Sequence, residues 1–392
     1  MTNNKYLILA AVVLLQACIG GTYSWSIYDA EFIQNYQVDP VYSTMPFNVF
    51  YVVFPLTLLF SHRIISRFGT RMSAQIGIAL FAFGWLLSNF GDVHFIFTII
   101  GVGVIGGIGV GLTYLVPILV GIAWFPNRGG LITGLAVGGF AAGAALVGEF
   151  SNYLIYTAGF TPFTALAVVG GLYFVVGFIP ATLMYRPMTA YHKSKETFHI
   201  NLGDLLKDPL FLGLFIAMTV GLTAGFFVNS KIVLIAGSGF ESFISLVAVF
   251  ALCNAIGRVA WGAMSDIISV TNCLKANLLL QAISIFSLLW LFNFESSPLV
   301  LAALAGFNYG GVLVLYASRV RQKWGENALT KVYSWLFLSN IVAAIINSFL
   351  SGIFSNSGAE RVAIILTVIL VVGFAGLFYR RKLVSIPSQF DS

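Results

Sequence analysis

Long apolar runs, separated by short polar or Gly/Pro segments, recur along the whole chain. About 20 apolar residues are needed to cross the ~30 Å hydrocarbon core of a bilayer as a helix. Backbone groups in lipid must be paired within their own segment, and the runs are too long for barrel strands, so every run is predicted to be helical. The twelve predicted spans are residues 6–28, 43–60, 73–90, 95–123, 130–152, 162–185, 209–234, 242–264, 275–293, 297–317, 332–354 and 361–379.

The composition also indicates a membrane protein. Of the 392 residues, 59% are hydrophobic and 9% are charged, whereas about a quarter of the residues in a soluble domain are charged. An ordinary soluble domain is thereby excluded, and so is disorder, which requires a polar and charged chain. The net charge of +6 comes from 20 Lys and Arg that form no concentrated basic patch, so we expect no nucleic-acid partner.

The positions of the basic residues predict the orientation. An even number of spans places both termini on one side of the membrane. With that side cytoplasmic, nearly all of the 20 Lys and Arg lie there, while Lys231 and Arg361 fall near the outer face. Because cytoplasmic loops are enriched in Lys and Arg, both termini are predicted to be cytoplasmic. We expect a multi-pass protein of the cell membrane, which in a bacterium is the inner membrane.

Two features divide the chain into similar halves. The longest internal polar stretch follows the sixth span, and a Trp-x2-Asn motif at Trp124 recurs at Trp324. We therefore predict a six-helix half at 1–185, a cytoplasmic central loop at 186–208 and a second six-helix half at 209–392. Parallel halves of this kind occur in transporters whose binding site lies near the midplane between the repeats.

Glycines in the fourth and fifth spans indicate close helix packing rather than nucleotide binding. Residues 101–106 satisfy the G-x-G-x-x-G pattern but lie inside a long apolar run, without the strand and turn that dinucleotide binding requires. Small residues at every fourth position allow membrane helices to approach closely, and we expect the fourth and fifth spans to pack together in this way. The glycines with this spacing are Gly103, Gly107 and Gly111 in the fourth span and Gly130, Gly134 and Gly138 in the fifth.

The chain lacks the residue patterns of several enzyme classes. It contains no Gly-Lys dipeptide, hence no phosphate-binding P-loop, and no H-E-x-x-H motif. Its four histidines lie at span ends or in the central loop, where a solvated surface role is expected. No nucleophile and base fall together within the bilayer. We therefore expect neither an enzyme nor a bound metal or cofactor.

Arg258 is the one basic residue deep inside a predicted span. A charge in lipid is costly, so such a residue indicates a functional site with a partner. Two interpretations are open. Arg258 is structural, snorkelling or pairing with Asp266 to lock a cytoplasmic gate, or its counter-ion is the substrate, because a guanidinium matches a carboxylate. Asn254, one turn earlier on the same face, could add a hydrogen bond.

Other polar groups inside the spans are candidates for a binding site. Tyr114 and Tyr309 lie deepest, and since a buried hydroxyl needs a partner, each either lines a cavity or forms a hydrogen bond between helices. Glu149, near the outer end of the fifth span, is the nearest candidate for a proton carrier; the alternative is an exposed residue at a helix end. The remaining embedded polar or aromatic residues are Gln16, Thr22, Tyr23, Trp25, Asn308, Asn340 and Asn347.

Four stretches resemble the oxalate:formate antiporter group of the major facilitator superfamily, which is related to monocarboxylate transporters. They lie in helices of both halves: residues 21–26 (GTYSWS), 109–117 (GVGLTYLVP), 124–134 (WFPNRGGLITG) and 254–266 (NAIGRVAWGAMSD). The resemblance implies the major facilitator fold, an all-α membrane protein with twelve transmembrane helices in two six-helix halves. It also implies transport by alternating access.

The resemblance assigns a substrate site. The group's dicarboxylate exchangers have a second cation, a lysine, at the position that aligns with Asn340. With one fixed positive charge, this chain is expected to prefer a monocarboxylate over oxalate. The residues that the resemblance places at the substrate are Arg258, as the carboxylate anchor, and Asn254, Tyr114, Tyr309 and Tyr23, which would line the cavity.

The resemblance also assigns gating residues at the cytoplasmic ends of helices. After helix two the superfamily usually has Asp-Arg-x-Gly, but this chain has Ser66 in place of the aspartate, which weakens the charge latch expected there. The residues assigned to gating are Arg67, Gly69, Arg71, Arg128 and Asp266.

These observations predict a secondary transporter of a short monocarboxylate such as lactate, pyruvate or formate, acting as a proton-coupled symporter or an anion exchanger. In animal monocarboxylate symporters an aspartate often occupies the position of Asn254, where it can carry the coupled proton. Because this chain has an asparagine there, the carrier of a coupled proton is left open. The alternatives are an oxalate:formate-type antiporter, a carrier of another small metabolite in which Arg258 is structural, and a non-transporting membrane sensor. The expected partners are the small carboxylate, a proton and the lipid bilayer, and we expect a monomer.

Overall fold

The structure is a computed structural model that describes residues 4–187, 201–236, 246–287 and 297–377. These residues form helices and no strand, which confirms the predicted all-α fold. The α-helices are α1 (Asn4–Gly20), α2 (Trp25–Gln34), α3 (Pro40–Leu87), α4 (Ile96–Thr98), α5 (Gly106–Thr113), α6 (Leu115–Trp124), α7 (Gly129–Asn152), α8 (Pro162–Thr182), α9 (Leu202–Lys207), α10 (Pro209–Ala236), α11 (Leu246–Ile267), α12 (Val270–Phe286), α13 (Ser297–Trp324), α14 (Glu326–Phe337) and α15 (Ser339–Gly376). Between them lie the 3₁₀ helices Gly21–Ser24, Ser88–Asp92 and Pro126–Arg128 and the π-helices Ile99–Ile105 and Tyr153–Thr157.

Nine helical runs within the described residues are long and apolar enough to cross a membrane. Each of the twelve predicted spans falls on a described helix, although residues 242–245, 288–293 and 378–379 at span ends lie outside the described ranges. The two counts differ for three reasons. The run Tyr42–Asp92 covers two predicted spans, and α12, on the ninth span, is a shorter apolar helix. Most of the twelfth span lies in α15, beyond the end of the last of the nine runs at Phe354.

The chain reverses direction at Gly69, inside the 48 residues of α3. A straight helix of that length would be ~72 Å long, more than twice the hydrocarbon thickness. Gly69 has φ +80° and ψ 168°, a conformation that glycine adopts without the steric cost that other residues meet. We call residues 40–68 the first arm of α3 and residues 70–87 the second arm.

The glycine face of the fourth span packs against the first arm of α3. The expectation that these glycines bring the fourth and fifth spans together is therefore wrong, because the four-residue spacing identifies a close-packing face but not the helix that lies against it. The second arm packs on another face of the same span, where Gly109 meets Phe81. The first-arm contacts run in register: Gly103 on Val49, Gly107 on Val53 and Gly111 on Thr57.

The glycine face of the fifth span packs against α11, on the C-terminal side of the chain. We call residues 4–187 the first half and the described residues from 201 to 377 the second half. An added Cβ at Gly130 or Gly134 would overlap backbone oxygens of α11, whereas one at Gly138 would lie 3.5 Å from Val259, in ordinary contact. The two helices are therefore closest near Gly130 and separate toward Gly138.

The first span is interrupted after Gly20 by the 3₁₀ helix Gly21–Ser24, and an added Cβ at Gly20 would overlap the carbonyl oxygen of Phe140 in α7. A 3₁₀ turn within a long helix often marks a hinge.

Of the predicted central loop, residues 188–200 lie outside the described ranges, and the described part includes the short helix α9.

Candidate functional site

Arg258 lies in the middle of α11 and is 3% exposed. Its Nε donates a 3.1 Å hydrogen bond to Oδ1 of Asn254, which precedes it by one helical turn on the same face. Its Nη1 donates a 2.6 Å hydrogen bond to the backbone carbonyl of Val137 in α7. Because α7 belongs to the first half and α11 to the second, the guanidinium joins the two halves.

The partners of Arg258 are neutral. Within the described ranges no Asp or Glu forms an ion pair with it. Asp266 is two turns further along α11, ~12 Å by helix geometry, and its carboxylate instead accepts hydrogen bonds from the backbone N–H groups of Gly130 (2.7 Å) and Leu131 (2.8 Å). The alternative in which Arg258 pairs with Asp266 is therefore not the arrangement found. The structure holds a buried cation between neutral oxygen acceptors.

A buried tyrosine lies near this cation. The Tyr333 hydroxyl donates a 2.9 Å hydrogen bond to the carbonyl of Leu313 and is close enough to Tyr114 and Arg258 to interact electrostatically with both. Tyr333 is 1% exposed and is not among the site residues predicted from the sequence. A signal was present, because Tyr333 precedes Asn340 by seven residues, a spacing that places both on one helix face.

An aromatic cluster surrounds Tyr114. Its ring lies 5.3 Å from Phe54, 5.6 Å from Phe140 and 5.4 Å from Phe337, measured between ring centroids. These residues come from the second, fourth, fifth and eleventh spans, so the cluster includes residues of both halves. The sequence offered no means of finding it, since 36 phenylalanines are spread along the chain. The cluster provides an apolar surface beside Tyr333, whose ring lies 5.7 Å from that of Phe337, and Tyr333 in turn lies near Arg258.

Gln16 contributes a second unusual polar group to this region. It is fully buried, and its Nε2 donates a 2.9 Å hydrogen bond to the backbone carbonyl of Tyr114. Its Oε1 is buried without a hydrogen-bond partner in the described part of the chain. An unpaired buried amide oxygen is costly unless a ligand or water supplies a donor.

Asn340, Tyr309 and Tyr23 are the other residues predicted to lie at the substrate site. Asn340 is 7% exposed, and its Nδ2 donates a 2.9 Å hydrogen bond to the carbonyl of Phe337 in the preceding turn. Tyr309 packs on Gly225 and on the ring of Phe250, which lies two turns before Arg258 on α11. The backbone of Tyr23 lies in the 3₁₀ helix Gly21–Ser24, but its side chain is outside what the structure describes.

Of the predicted gating residues, Asp266 forms hydrogen bonds with the opposite half. Asp266 binds the start of α7, as described above. Arg67, Arg71 and Arg128 are exposed, and in the described ranges they make no hydrogen bond or ion pair with the second half. Gly69 provides the turn between the arms of α3.

Two contacts between the halves at the Asp266 end were not predicted. Arg321 of α13 lies against Gly129, with Nη1 3.5 Å from the carbonyl of Pro126. The Ser334 hydroxyl of α14 donates a 2.8 Å hydrogen bond to the carbonyl of Leu58 in α3. In the sequence Arg321 counted simply as one of many basic residues at the cytoplasmic side, and no pattern singled out Ser334.

Comparison with known proteins agrees with this architecture. A family model of the Major Facilitator Superfamily matches residues 10–340. The oxalate:formate antiporter of Oxalobacter formigenes is 22% identical over 395 residues, which cover 96% of this chain and 91% of that protein. The uncharacterized MFS-type transporter YhjX of Escherichia coli K12 is 22% identical over 351 residues, covering 88% and 86% respectively.

Among solved structures, the fucose:proton symporter FucP of E. coli has a TM-score of 0.72 at 13% sequence identity, over 97% of this chain and 100% of that one. At this identity the likeness concerns the fold alone, and it agrees with the helical membrane architecture described above. The family match spans most of the chain, and the oxalate:formate antiporter aligns along nearly its whole length. The chain therefore belongs to the Major Facilitator Superfamily.

Proposed function

We propose that this protein transports a short monocarboxylate by alternating access and that Arg258 binds the substrate carboxylate. Membership of the superfamily and the fold indicate a membrane transporter rather than an enzyme. The observation that carries the finer proposal is the burial of Arg258 between the two halves with neutral acceptors. A buried cation without a counter-ion is costly, and a substrate anion would supply the missing charge.

The hydrogen bonds of Arg258 provide a mechanism for coupling binding to movement. A guanidinium has five N–H donors, and two of the atoms that carry them bond to Asn254 and to the carbonyl of Val137. A carboxylate adds the attraction of a full negative charge to the guanidinium, which a neutral carbonyl oxygen does not supply. A substrate carboxylate would therefore displace the Val137 carbonyl, and binding would release a contact that joins the halves.

The surroundings of Arg258 favour one carboxylate over two. Arg258 is the one buried cation in the described ranges, and Asn340 stands where the group's dicarboxylate exchangers have a lysine. The aromatic cluster of Phe54, Tyr114, Phe140 and Phe337 offers apolar surface rather than a second cation. A second carboxylate there would be desolvated without a partner, which is costly, whereas the short alkyl part of lactate or pyruvate fits such a surface.

The contacts between the halves suggest which end of the site is closed. Asp266 and Arg321 tie the halves together at the Gly130 end of α7, and α7 and α11 separate toward Gly138. Under the predicted orientation the closed end is cytoplasmic, so substrate would enter from outside. Transport would then require the Asp266 contacts to break while the opposite end closes.

The experiment that tests the proposal is uptake into proteoliposomes containing the purified protein. Arg258→Gln keeps a long polar side chain but removes the charge, so we expect loss of labelled lactate, pyruvate and formate uptake with the melting temperature retained. Arg63→Gln, a change at an exposed arginine, serves as the matched control and should transport normally. If Arg258→Gln transports at the wild-type rate, the carboxylate assignment is wrong and Arg258 is structural.

The same assay separates the alternatives. Lactamide has the shape of lactate without the negative charge, so it should not compete for uptake if Arg258 recognises a carboxylate. Competition by lactamide, a sugar or an amine at the concentration at which lactate competes would favour a carrier of another small metabolite. Binding of lactate without flux across the membrane would favour a non-transporting sensor.

A further inference from the structure

Pro117 interrupts the fourth span close to the proposed substrate site. Proline has no backbone N–H, and its ring meets the carbonyl of the residue four positions earlier, which here is Thr113. The helix is broken at this turn: α5 ends at Thr113 and α6 begins at Leu115, with Tyr114 between them. Kinks in helices arise at such prolines, so Tyr114 lies where the direction of its helix is least constrained by the helix itself.

A side chain of the first span holds the backbone at this break. Gln16 is fully buried, and its Nε2 donates a 2.9 Å hydrogen bond to the carbonyl oxygen of Tyr114. Helix α1 is in turn packed tightly on α7, because an added Cβ at Gly143 would overlap the carbonyl oxygen of Ala17, the residue after Gln16. In membrane proteins, groups on neighbouring helices satisfy the backbone around a proline. Gln16 thus binds the interrupted turn from a helix that is itself held in place.

The amide of Gln16 is costly in this position. Its Oε1 is buried without a hydrogen-bond partner among the described residues, and an unpaired buried amide oxygen is unfavourable. An apolar side chain of the same length, such as methionine, would avoid that cost. The hydrogen bond from Nε2 to Tyr114 is the contribution that an apolar residue could not make.

The side chain of Tyr114 connects this break with Arg258. Its ring packs on those of Phe54 and Phe337, at 5.3 and 5.4 Å between centroids, and so contacts both halves. Its hydroxyl lies beside that of Tyr333, which is close enough to Arg258 to interact with it electrostatically. A change in helix direction at Tyr114 would move this hydroxyl relative to Arg258, whereas groups of a binding site must be held within about 0.5 Å of their productive positions.

We propose that Gln16 is a positioning residue for the substrate site: its hydrogen bond at the Pro117 break holds the Tyr114 hydroxyl where it contacts the bound carboxylate. This inference rests on the proposed function. Gln16 acts through Tyr114 and does not itself bind the substrate. An interaction that holds the substrate equally before and during the movement of the halves affects KM more than kcat, so KM is the quantity that Gln16 should control.

The test measures KM and kcat of lactate uptake into proteoliposomes for Gln16→Met. Methionine is close to glutamine in length but donates no hydrogen bond, so KM should rise about five- to tenfold, with kcat within about twofold of the wild type. Gln281→Met is the matched control and should keep the wild-type KM. Gln281 is a buried glutamine of α12 whose Nε2 donates a 2.8 Å hydrogen bond to Asn277 and whose Oε1 has no partner among the described residues.

A double substitution separates positioning from a general loss of packing. In a Tyr114→Phe background, Gln16→Met should raise KM no further, because the hydroxyl that Gln16 positions is already absent. If Gln16→Met does not fold, Gln16→Asn replaces it in both measurements, since its amide is one methylene too short to reach the same carbonyl unchanged.

Three outcomes would overturn the inference: a folded variant at position 16 that keeps the wild-type KM, an equal rise in KM for Gln281→Met, or effects of the Gln16 and Tyr114 substitutions that simply add. In each of these cases the wild type still transports carboxylates and Arg258→Gln does not, so the proposed function stands. Wild-type protein that transports no carboxylate would overturn the proposed function and this inference together.

Discussion

Asp266 of the second half accepts a 2.7 Å hydrogen bond from the backbone N–H of Gly130 in the first half. Its other carboxylate oxygen accepts from the N–H of Leu131 at 2.8 Å, so one side chain pairs with two of the N–H groups that the start of a helix leaves free. The negative charge also interacts favourably with the positive end of the helix dipole. These bonds tie the halves together where α7 and α11 are closest, and they are absent from any state in which this end is open.

Asp266→Asn should weaken the closed state. The amide removes the charge from the helix start and leaves one acceptor oxygen, which should cost about 1–2 kcal/mol of closed-state preference. Spin labels on cysteines introduced at Asn127 and Lys323, both exposed at this end, should then report a larger population at long distances. Asp92→Asn, at an exposed position elsewhere, is the control. An unchanged distance distribution for Asp266→Asn would show that the contact does not hold this end closed.

Gly134→Ala should disturb the packing of α7 on α11. An added Cβ at Gly134 would overlap the carbonyl oxygen of Arg258, and overpacking of this kind typically costs about 1–3 kcal/mol. We expect a lower melting temperature in detergent and slower transport. Gly171→Ala is a matched control, since an added Cβ there meets nothing within 4 Å and alanine favours a helix. Equal melting temperatures for the two variants would contradict the packing described for Gly134.

Tyr333→Phe should weaken substrate binding. The change keeps the ring and removes a hydroxyl that lies near Arg258 and bonds to the carbonyl of Leu313. If the hydroxyl turns to the bound carboxylate, its loss should raise KM for lactate about tenfold, the equivalent of ~1.4 kcal/mol. Tyr316→Phe removes a fully buried hydroxyl elsewhere in the second half and should leave KM unchanged. A lower melting temperature with an unchanged KM for Tyr333→Phe would assign the hydroxyl a purely structural role.

Much of the fold could be predicted from local patterns, whereas the site depends on which helices meet. Apolar runs must be helical in lipid wherever they pack, so the spans could be located from the sequence. The close-packing face of the fourth span could be recognised, but its partner could not, because the spacing of glycines is the same for any neighbour. Arg258 stood out because a charge in a span is rare. Its acceptor on Val137 is a backbone oxygen, and every residue has one.

The same limit applies to two glutamates near helix ends, Glu31 and Glu149. Both glutamates lie near the ends of apolar runs, and sequence position does not determine burial there. The interruption after Gly20 sets the direction of α2 and, with the packing around it, leaves Glu31 covered, while Glu149 faces outward on α7. Burial at a helix end depends on neighbouring helices, and so it needed the structure.

Asn340→Lys should shift selectivity toward dicarboxylates. Asn340 is buried, and Phe337, one turn before it, packs on Tyr114 close to the Arg258 region. A lysine there would place a second cation on the eleventh span, and a charge-assisted hydrogen bond to a second carboxylate contributes about 1.5–3 kcal/mol. The uptake ratio of oxalate to formate should therefore rise by about 10- to 100-fold. Asn340→Met, whose unbranched side chain is close to that of lysine in length but carries no charge, separates charge from size and should leave this ratio low. If the two variants have the same ratio, the side chain at 340 does not reach the substrate and the alignment of helix eleven is wrong; if the lysine variant alone gains oxalate uptake, Arg258 and position 340 face one binding site.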